Sequence, residues 1–302
     1  MKHRKLIIFL LVGIFVLTQL FGLFIINQNL NIGPDGEAEW DDLAYDTEVE
    51  GESDFYFILI FIVVLLGSLF YLFLFKKRKF NFIKGWYGFA IFFAVSFALY
   101  PLIKNDLIVL FISLVLAYLK VKRNNFVIHN ITEILVYAGV ASIMVPMMSL
   151  EAVFSLLILI SLYDIYAVFH SKHMVDLAKS QVEMKLFSGL ALPKNKTKMS
   201  SITMVDEKSD SNSNLKENED SDKSKKKGSL AILGGGDVIF PLLFAGAVLK
   251  TYSMTHSFFI VVGSTIGLFF LFYFGKKGEF YPAMPYLSFS IILSWFLSIL
   301  IL

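Results

Sequence analysis

Two acidic residues, Asp164 and Asp237, interrupt stretches that otherwise read as membrane-buried, Ser161 to Val168 and Leu233 to Pro241. An ionisable side chain at a helix centre in a bilayer costs about 3 kcal/mol or more, so each marks a functional site by default. Two carboxyl groups brought within a few ångströms cannot both ionise comfortably and share one proton. The ionised member of such a pair can take a proton from water, while the protonated member polarises a carbonyl and later protonates a leaving amine. That is the chemistry of peptide hydrolysis. Paired intramembrane carboxylates also serve as relays, so a proton- or ion-coupled membrane transporter is the alternative, and a catalytically silent scaffold is a third possibility. No internal repeat of the kind common in transporters relates the two halves.

The chain that must position these acids has 302 residues, 56% of them hydrophobic and 16% aromatic, with a mean hydropathy of +0.68. Soluble domains are roughly 45–50% apolar. Runs of about 20 apolar residues recur along nearly the whole sequence, each long enough to cross a bilayer. The expected fold is therefore an all-α polytopic membrane protein with nine transmembrane helices. The spans are placed at about 6–26, 55–75, 85–103, 107–119, 126–148, 152–169, 230–249, 256–274 and 281–302. The first follows Met-Lys-His-Arg-Lys but exceeds a signal peptide's apolar core and lacks a small-x-small site, so it reads as a retained span.

Residues 1–170 thus hold spans one to six, and 230–302 hold spans seven to nine. Between them, 171–191 places Met174, Leu177, Ala178, Val182 and Leu186 at helical spacing, with Lys172/Asp176 and Lys179/Glu183 as i,i+4 pairs. This predicts an amphipathic interfacial helix. Residues 192–229, rich in Ser, Asn, Asp, Glu and Lys, predict a disordered cytoplasmic loop. The ten carboxylates from Asp35 to Asp54, with no Lys or Arg among them, read as a solvated, translocated loop.

Positive charge sets the orientation. With the N-terminus cytoplasmic, all but Lys104 and Lys250 of the 27 lysines and arginines fall on the inside, and the C-terminus is extracellular. Asp164 then lies six residues before His170, and Asp237 eight after Ser229. At about 1.5 Å per residue both sit roughly 9–12 Å beneath the cytoplasmic edge. Carboxylates at matching depth on antiparallel spans can face one another.

The remaining residues narrow the chemistry. A net charge of +2 gives no nucleic-acid footprint, and zero cysteines exclude disulfides and thiolate metal sites. His129 and Glu133 are four residues apart but have no third ligand, so no metal and no cofactor is expected and interfacial hydrogen bonding is the plainer role. Gly234-Gly235-Gly236-Asp237 combines three poor helix formers with a charge. Either it is a turn with Asp237 as N-cap, or its glycines leave space beside the carboxylate for water and substrate. Pro282 and Pro285 bracket Ala283-Met284 and push Tyr281 and Met284 toward extended geometry. Either they start a helix, or they form an extended segment lining a cavity and supporting substrate. Tyr163 either packs between helices or acts beside Asp164.

Tyr163-Asp164 in the sixth span, Gly-x-Gly-Asp at Gly234 to Asp237 in the seventh, and Pro282-Ala283-Met284 opening the ninth resemble the presenilin/signal peptide peptidase family. The stretch Tyr166 to Met174 is similar to archaeal members in particular. One departure is Met284, where the family's third motif usually has Leu; the exchange conserves volume and apolarity. The N-inside orientation matches presenilin rather than signal peptide peptidase. The resemblance implies an intramembrane aspartyl endopeptidase with Asp164 and Asp237 as catalytic dyad. It further implies that Tyr163, Gly234, Gly235, Gly236, Pro282, Ala283 and Met284 lie at the substrate. The implied partners are transmembrane protein or peptide substrates and the lipid bilayer, in a multi-pass cell membrane protein with no obligate accessory subunit evident.

Overall fold

The computed structural model describes residues 2–32, 38–40, 56–122, 125–171, 186–193, 230–274 and 282–302. Among them are nine α-helices: α1 Lys2–Asn29, α2 Tyr56–Lys76, α3 Phe80–Leu99, α4 Asp106–Lys122, α5 Phe126–Met147, α6 Leu150–Tyr166, α7 Gly235–Thr251, α8 Met254–Phe274 and α9 Met284–Ile301. Seven are long and apolar enough to cross a membrane, α4 and α7 being shorter at 17 residues. The nine expected spans coincide with these helices to within a few residues. Local chemistry punctuates them. Asn125 caps α5 by accepting from the Val127 amide, and Ser149 caps α6 by accepting from Ala152. Pro101 follows the last turn of α3.

The exterior is apolar. Phe9, Phe111, Leu107 and Leu300 stand exposed, while Thr18, Gln19, Ser257, Ser264 and Ser298 are fully buried. Small and polar side chains at helix seams with large apolar ones outside is the pattern lipid imposes, because apolar burial gives no advantage there and close backbone packing does. At the α8–α9 seam, a Cβ on Gly263 would collide with Ser294, and one on Gly267 with Ser290 and, at 3.2 Å, the Tyr286 carbonyl. At the α3–α5 seam, Gly139 lies directly against the Ala94 backbone.

α7 is the centre of the bundle. From Leu242 to Leu249 every residue is buried, and α1, α5, α6, α8 and α9 all pack against it. A helix apolar on every side belongs in such a position.

Two antiparallel hairpins supplement the helices. β1 (Leu30–Ile32) pairs with β2 (Ala38–Trp40), and β3 (Gly189–Pro193) pairs with β4 (Leu230–Gly234) in the register Gly189↔Gly234 to Pro193↔Leu230. Three expectations shift here. Residues 186–191, assigned above to the amphipathic helix, are not helical, and 189–191 join Leu192 and Pro193, assigned to the disordered loop, in β3; Gly189 has φ +147, a conformation only glycine adopts without strain. Leu230 to Gly234, assigned to the start of span seven, form the strand that leads into α7. The remainder of the amphipathic helix (172–185) and the 194–229 loop lie outside the described residues.

Candidate active site

The sixth helix carries Asp164 in its last turn, and the backbone widens into a π-helical turn, Ala167–Ser171, just after it. Asp164 is buried, 3% exposed. Its Oδ2 accepts from the Met284 amide at 3.0 Å, and the Ala283 amide also faces it. Met284 is the first residue of α9, where amides lack an intrahelical partner. Ala283, the N-cap, offers no side chain to satisfy them, and Pro285 has no N–H. Asp164 on α6 therefore supplies from another helix the acceptor that α9 lacks. One turn earlier on α6, Ser161 and Ser288 of α9 share a 2.7 Å hydrogen bond that fixes the same seam.

The Pro-Ala-Met segment is thus a helix start rather than the extended segment expected from its two prolines. Ala283 has φ −82 and ψ −34, and α9 begins at Met284. A proline at the second helical position forfeits only an amide that would have been unpartnered anyway, so Met284 accommodates helical geometry before it. Pro282, Ala283 and Met284 are all buried. Tyr281 lies outside the described residues.

Asp237 is the third residue of α7 and half-buried. The N-cap is Gly234, not Asp237, and the Asp237 carboxylate reaches back to the Gly234 amide as the third residue of a capping box does. Pro241, four residues on, cannot bond the Asp237 carbonyl, which loosens the ladder where the acid sits. Gln19 of α1 donates to the neighbouring Val238 carbonyl at 2.8 Å. α6 and α7 pack against each other, with Asp164 near the end of one and Asp237 near the start of the other, so the two carboxyl groups lie at the same end of that seam.

The three glycines are not equivalent. A Cβ on Gly234 would lie 3.1 Å from Asp237 Oδ2, and one on Gly235 3.0 Å from the Tyr137 hydroxyl and 3.3 Å from Ser188 Oγ. Gly236 is exposed and would meet only the Phe240 ring, at 3.5 Å. Gly236 therefore borders open space, while Gly234 leaves room for the Asp237 carboxylate and Gly235 for Tyr137 and Ser188. Tyr163 packs edge-to-face on Phe61 of α2, centroids 5.9 Å apart.

Sequence reasoning missed the β3–β4 hairpin and the residues that hold it. His129 Nε2 hydrogen-bonds the Gly189 carbonyl at 2.8 Å, so its role is the hydrogen bonding expected of it. The Asn130 amide donates to the Ala191 carbonyl at 2.9 Å and accepts from the Ala191 amide at 3.0 Å. Tyr87 donates to the Phe187 carbonyl at 3.1 Å. Glu133 forms a buried ion pair with Lys120 of α4. Among the described residues no group of three or more His, Cys, Asp or Glu could hold a metal.

Against known proteins, the family model described as signal-peptide peptidase, presenilin aspartyl protease matches residues 12–302. No curated protein matches significantly. Two solved structures of a presenilin family intramembrane aspartate protease share the fold. The one in space group C222 has a TM-score of 0.63 and 19% identity, covering 98% of this chain and 99% of that one. The one in space group P2 has 0.59 and 21%, covering 95% and 97%. With nearly its whole length matched, the chain belongs to the signal-peptide peptidase and presenilin aspartyl protease family, and is a membrane-embedded aspartyl protease acting on transmembrane substrates.

Proposed function

We propose that Asp164 and Asp237 are the two catalytic carboxyl groups of this protease. The observation that carries the reading is geometric: Asp164 near the end of α6 is held by the Met284 amide at the start of α9, and Asp237 lies near the start of α7, which packs against α6. The pair holds one proton between its two members. The ionised carboxylate takes a proton from water, and the water oxygen attacks the scissile carbonyl carbon. The protonated carboxyl hydrogen-bonds the carbonyl oxygen, which takes up the developing negative charge. The proton held by the dyad then passes to the leaving nitrogen as the C–N bond breaks, giving a carboxylic acid and an amine.

A substrate helix must be unwound before its peptide bond can be attacked, and an exposed strand edge is one way to hold it extended. Gly189 and Ala191 direct their backbone groups away from β4, so the paired positions are Leu190 with Leu233 and Leu192 with Ala231. Ile232 therefore turns its backbone groups outward on the other edge of β4, which runs straight to Asp237, while the Gly234 amide is already taken by the Asp237 carboxylate. In this reading that edge receives the substrate strand, the role the sequence suggested for Pro282 to Met284, and Gly236 leaves room for the attacking water. The active end of the bundle faces the cytoplasm of a cell membrane, and the single chain works without an accessory subunit.

The test compares purified wild type with Asp164→Asn and Asp237→Asn on a single-span substrate in detergent. Each amide keeps an acceptor for Met284 or Gly234, so melting temperatures should stay close to wild type. Cleavage should fall by at least about 10³-fold, general acid–base groups contributing typically 10²–10⁴. Undiminished cleavage in both variants would remove the assignment.

A further inference from the structure

Among the described residues, the outer edge of β3 is hydrogen-bonded by side chains. The carbonyls of Phe187, Gly189 and Ala191 are alternate along the chain, so in an extended segment they point the same way. Tyr87 of α3 takes the first, and His129 and Asn130 of α5 take the other two. At Ala191 the Asn130 amide both donates and accepts, the two bonds a neighbouring strand residue would make. His129 and Asn130 are buried, and the His129 ring stacks on Phe187 with centroids 6.2 Å apart.

We infer that Tyr87, His129 and Asn130 are positioning residues that stand in for a third strand on β3 and set which substrate bond reaches the two aspartates. The inference rests on the protease reading above. An isolated two-stranded hairpin is marginally stable and free to slip. A slip of one residue turns every side chain and every backbone group to the opposite side. β3 fixes β4 through five paired positions, and β4 continues without a break into Gly234 and Asp237. Whatever fixes β3 against α5 therefore also fixes the outer edge of β4 against the dyad. Buried backbone groups need partners of some kind. Satisfying them from two rigid transmembrane helices, at alternate residues, adds a defined register.

The experiment uses the full chain and three variants, Asn130→Ala, Asn130→Gln and, as a control, Val95→Ala. Val95 of α3 is fully buried against α4, two turns along α3 from Tyr87. Cleavage positions in a single-span substrate are read by mass spectrometry alongside kcat and KM. Hydrogen exchange at the Ala191 amide is read in the same preparations, with or without activity. Asn130→Ala is expected to speed that exchange, lower kcat on the order of 10-fold, and spread cleavage over neighbouring bonds. Asn130→Gln, which moves the amide by one methylene, should shift the preferred bond while keeping more activity. Val95→Ala should melt earlier yet cut at the wild-type position. Unchanged exchange at Ala191 would overturn the proposal, as would an unchanged cleavage pattern or the same spread in Val95→Ala. Asp237→Asn, run in parallel, tests the protease reading by itself: cleavage surviving there overturns the dyad and leaves the exchange result to judge the ladder.

Discussion

At the scale of single residues, the Lys120–Glu133 pair has no place in the chemistry yet sits one helical turn from Asn130, with both side chains buried. Tyr137, whose hydroxyl lies against Gly235, is one turn further along α5 beside Glu133. Glu133→Gln leaves the Lys120 ammonium buried without its counter-charge, a loss of about 3–5 kcal/mol. Replacing both, as Lys120→Met with Glu133→Leu, removes the charges together and is often near neutral. Thermal unfolding in detergent should show a large drop for Glu133→Gln and recovery of most of it in the double variant. A double variant no more stable than the single one would mean that the pair itself holds α4 to α5. Gly235→Ala makes a second local test. The new methyl meets Tyr137 and Ser188 at the start of the helix bearing Asp237, whereas Gly236→Ala meets only an ordinary contact with Phe240. Cleavage and melting temperature should therefore fall more for Gly235→Ala in stability, by about 1–3 kcal/mol.

At the scale of elements, α9 is positioned by α8 and in turn positions Asp164. Gly267 packs on Tyr286 and Ser290, within two turns of the Met284 amide, and Gly263 packs on Ser294 and the Ser290 carbonyl, one turn further along α9. Gly267→Val and Gly263→Val should each cost on the order of 1–3 kcal/mol by overpacking. Cleavage should fall further for Gly267→Val, because that displacement reaches the amide that Asp164 accepts. Equal losses of activity from the two would detach α9 from the placement of the acid. The Gly263-x-x-x-Gly267 spacing was open to sequence reasoning, and so were the helices themselves, since lipid demands long apolar runs. The strands were not. Leu230 to Leu233 is a short apolar run whose hydropathy merges with α7, and its partner at 189–193 lies far away along the chain. Asp164 and Asp237 stood out because charge is rare in apolar sequence. Asn130 and Tyr87 did not, because a polar residue in the first turns of a transmembrane helix is ordinary wherever it faces headgroups. Their meaning depends on a hairpin that composition does not announce. The Pro282–Pro285 pair misled for a related reason: its backbone follows from Asp164 supplying a cap across helices, a contact with no local signature.

At the scale of the whole molecule, the arrangement of site and membrane depends on orientation. Both aspartates lie at one end of the bundle, Asp164 near the end of α6 and Asp237 near the start of α7, so in the proposed reading water reaches them from the side that end faces. The distribution of lysine and arginine predicts that this end lies inside, with the α2–α3 turn at Lys77 to Lys79, and that the α3–α4 turn at Lys104 and Asn105 lies outside. The chain contains no cysteine, so single cysteines introduced at these turns report without background. Lys79 and Asn105 suit the purpose, being exposed and outside helices. In intact cells a membrane-impermeant maleimide should label Asn105→Cys and leave Lys79→Cys unlabelled until the membrane is permeabilised. The reverse pattern would place the dyad at the extracytoplasmic face, so that substrates would be cut near their outer ends. It would leave the helix packing and the Asp164–Met284 contact untouched, because neither depends on which side of the bilayer faces the cell.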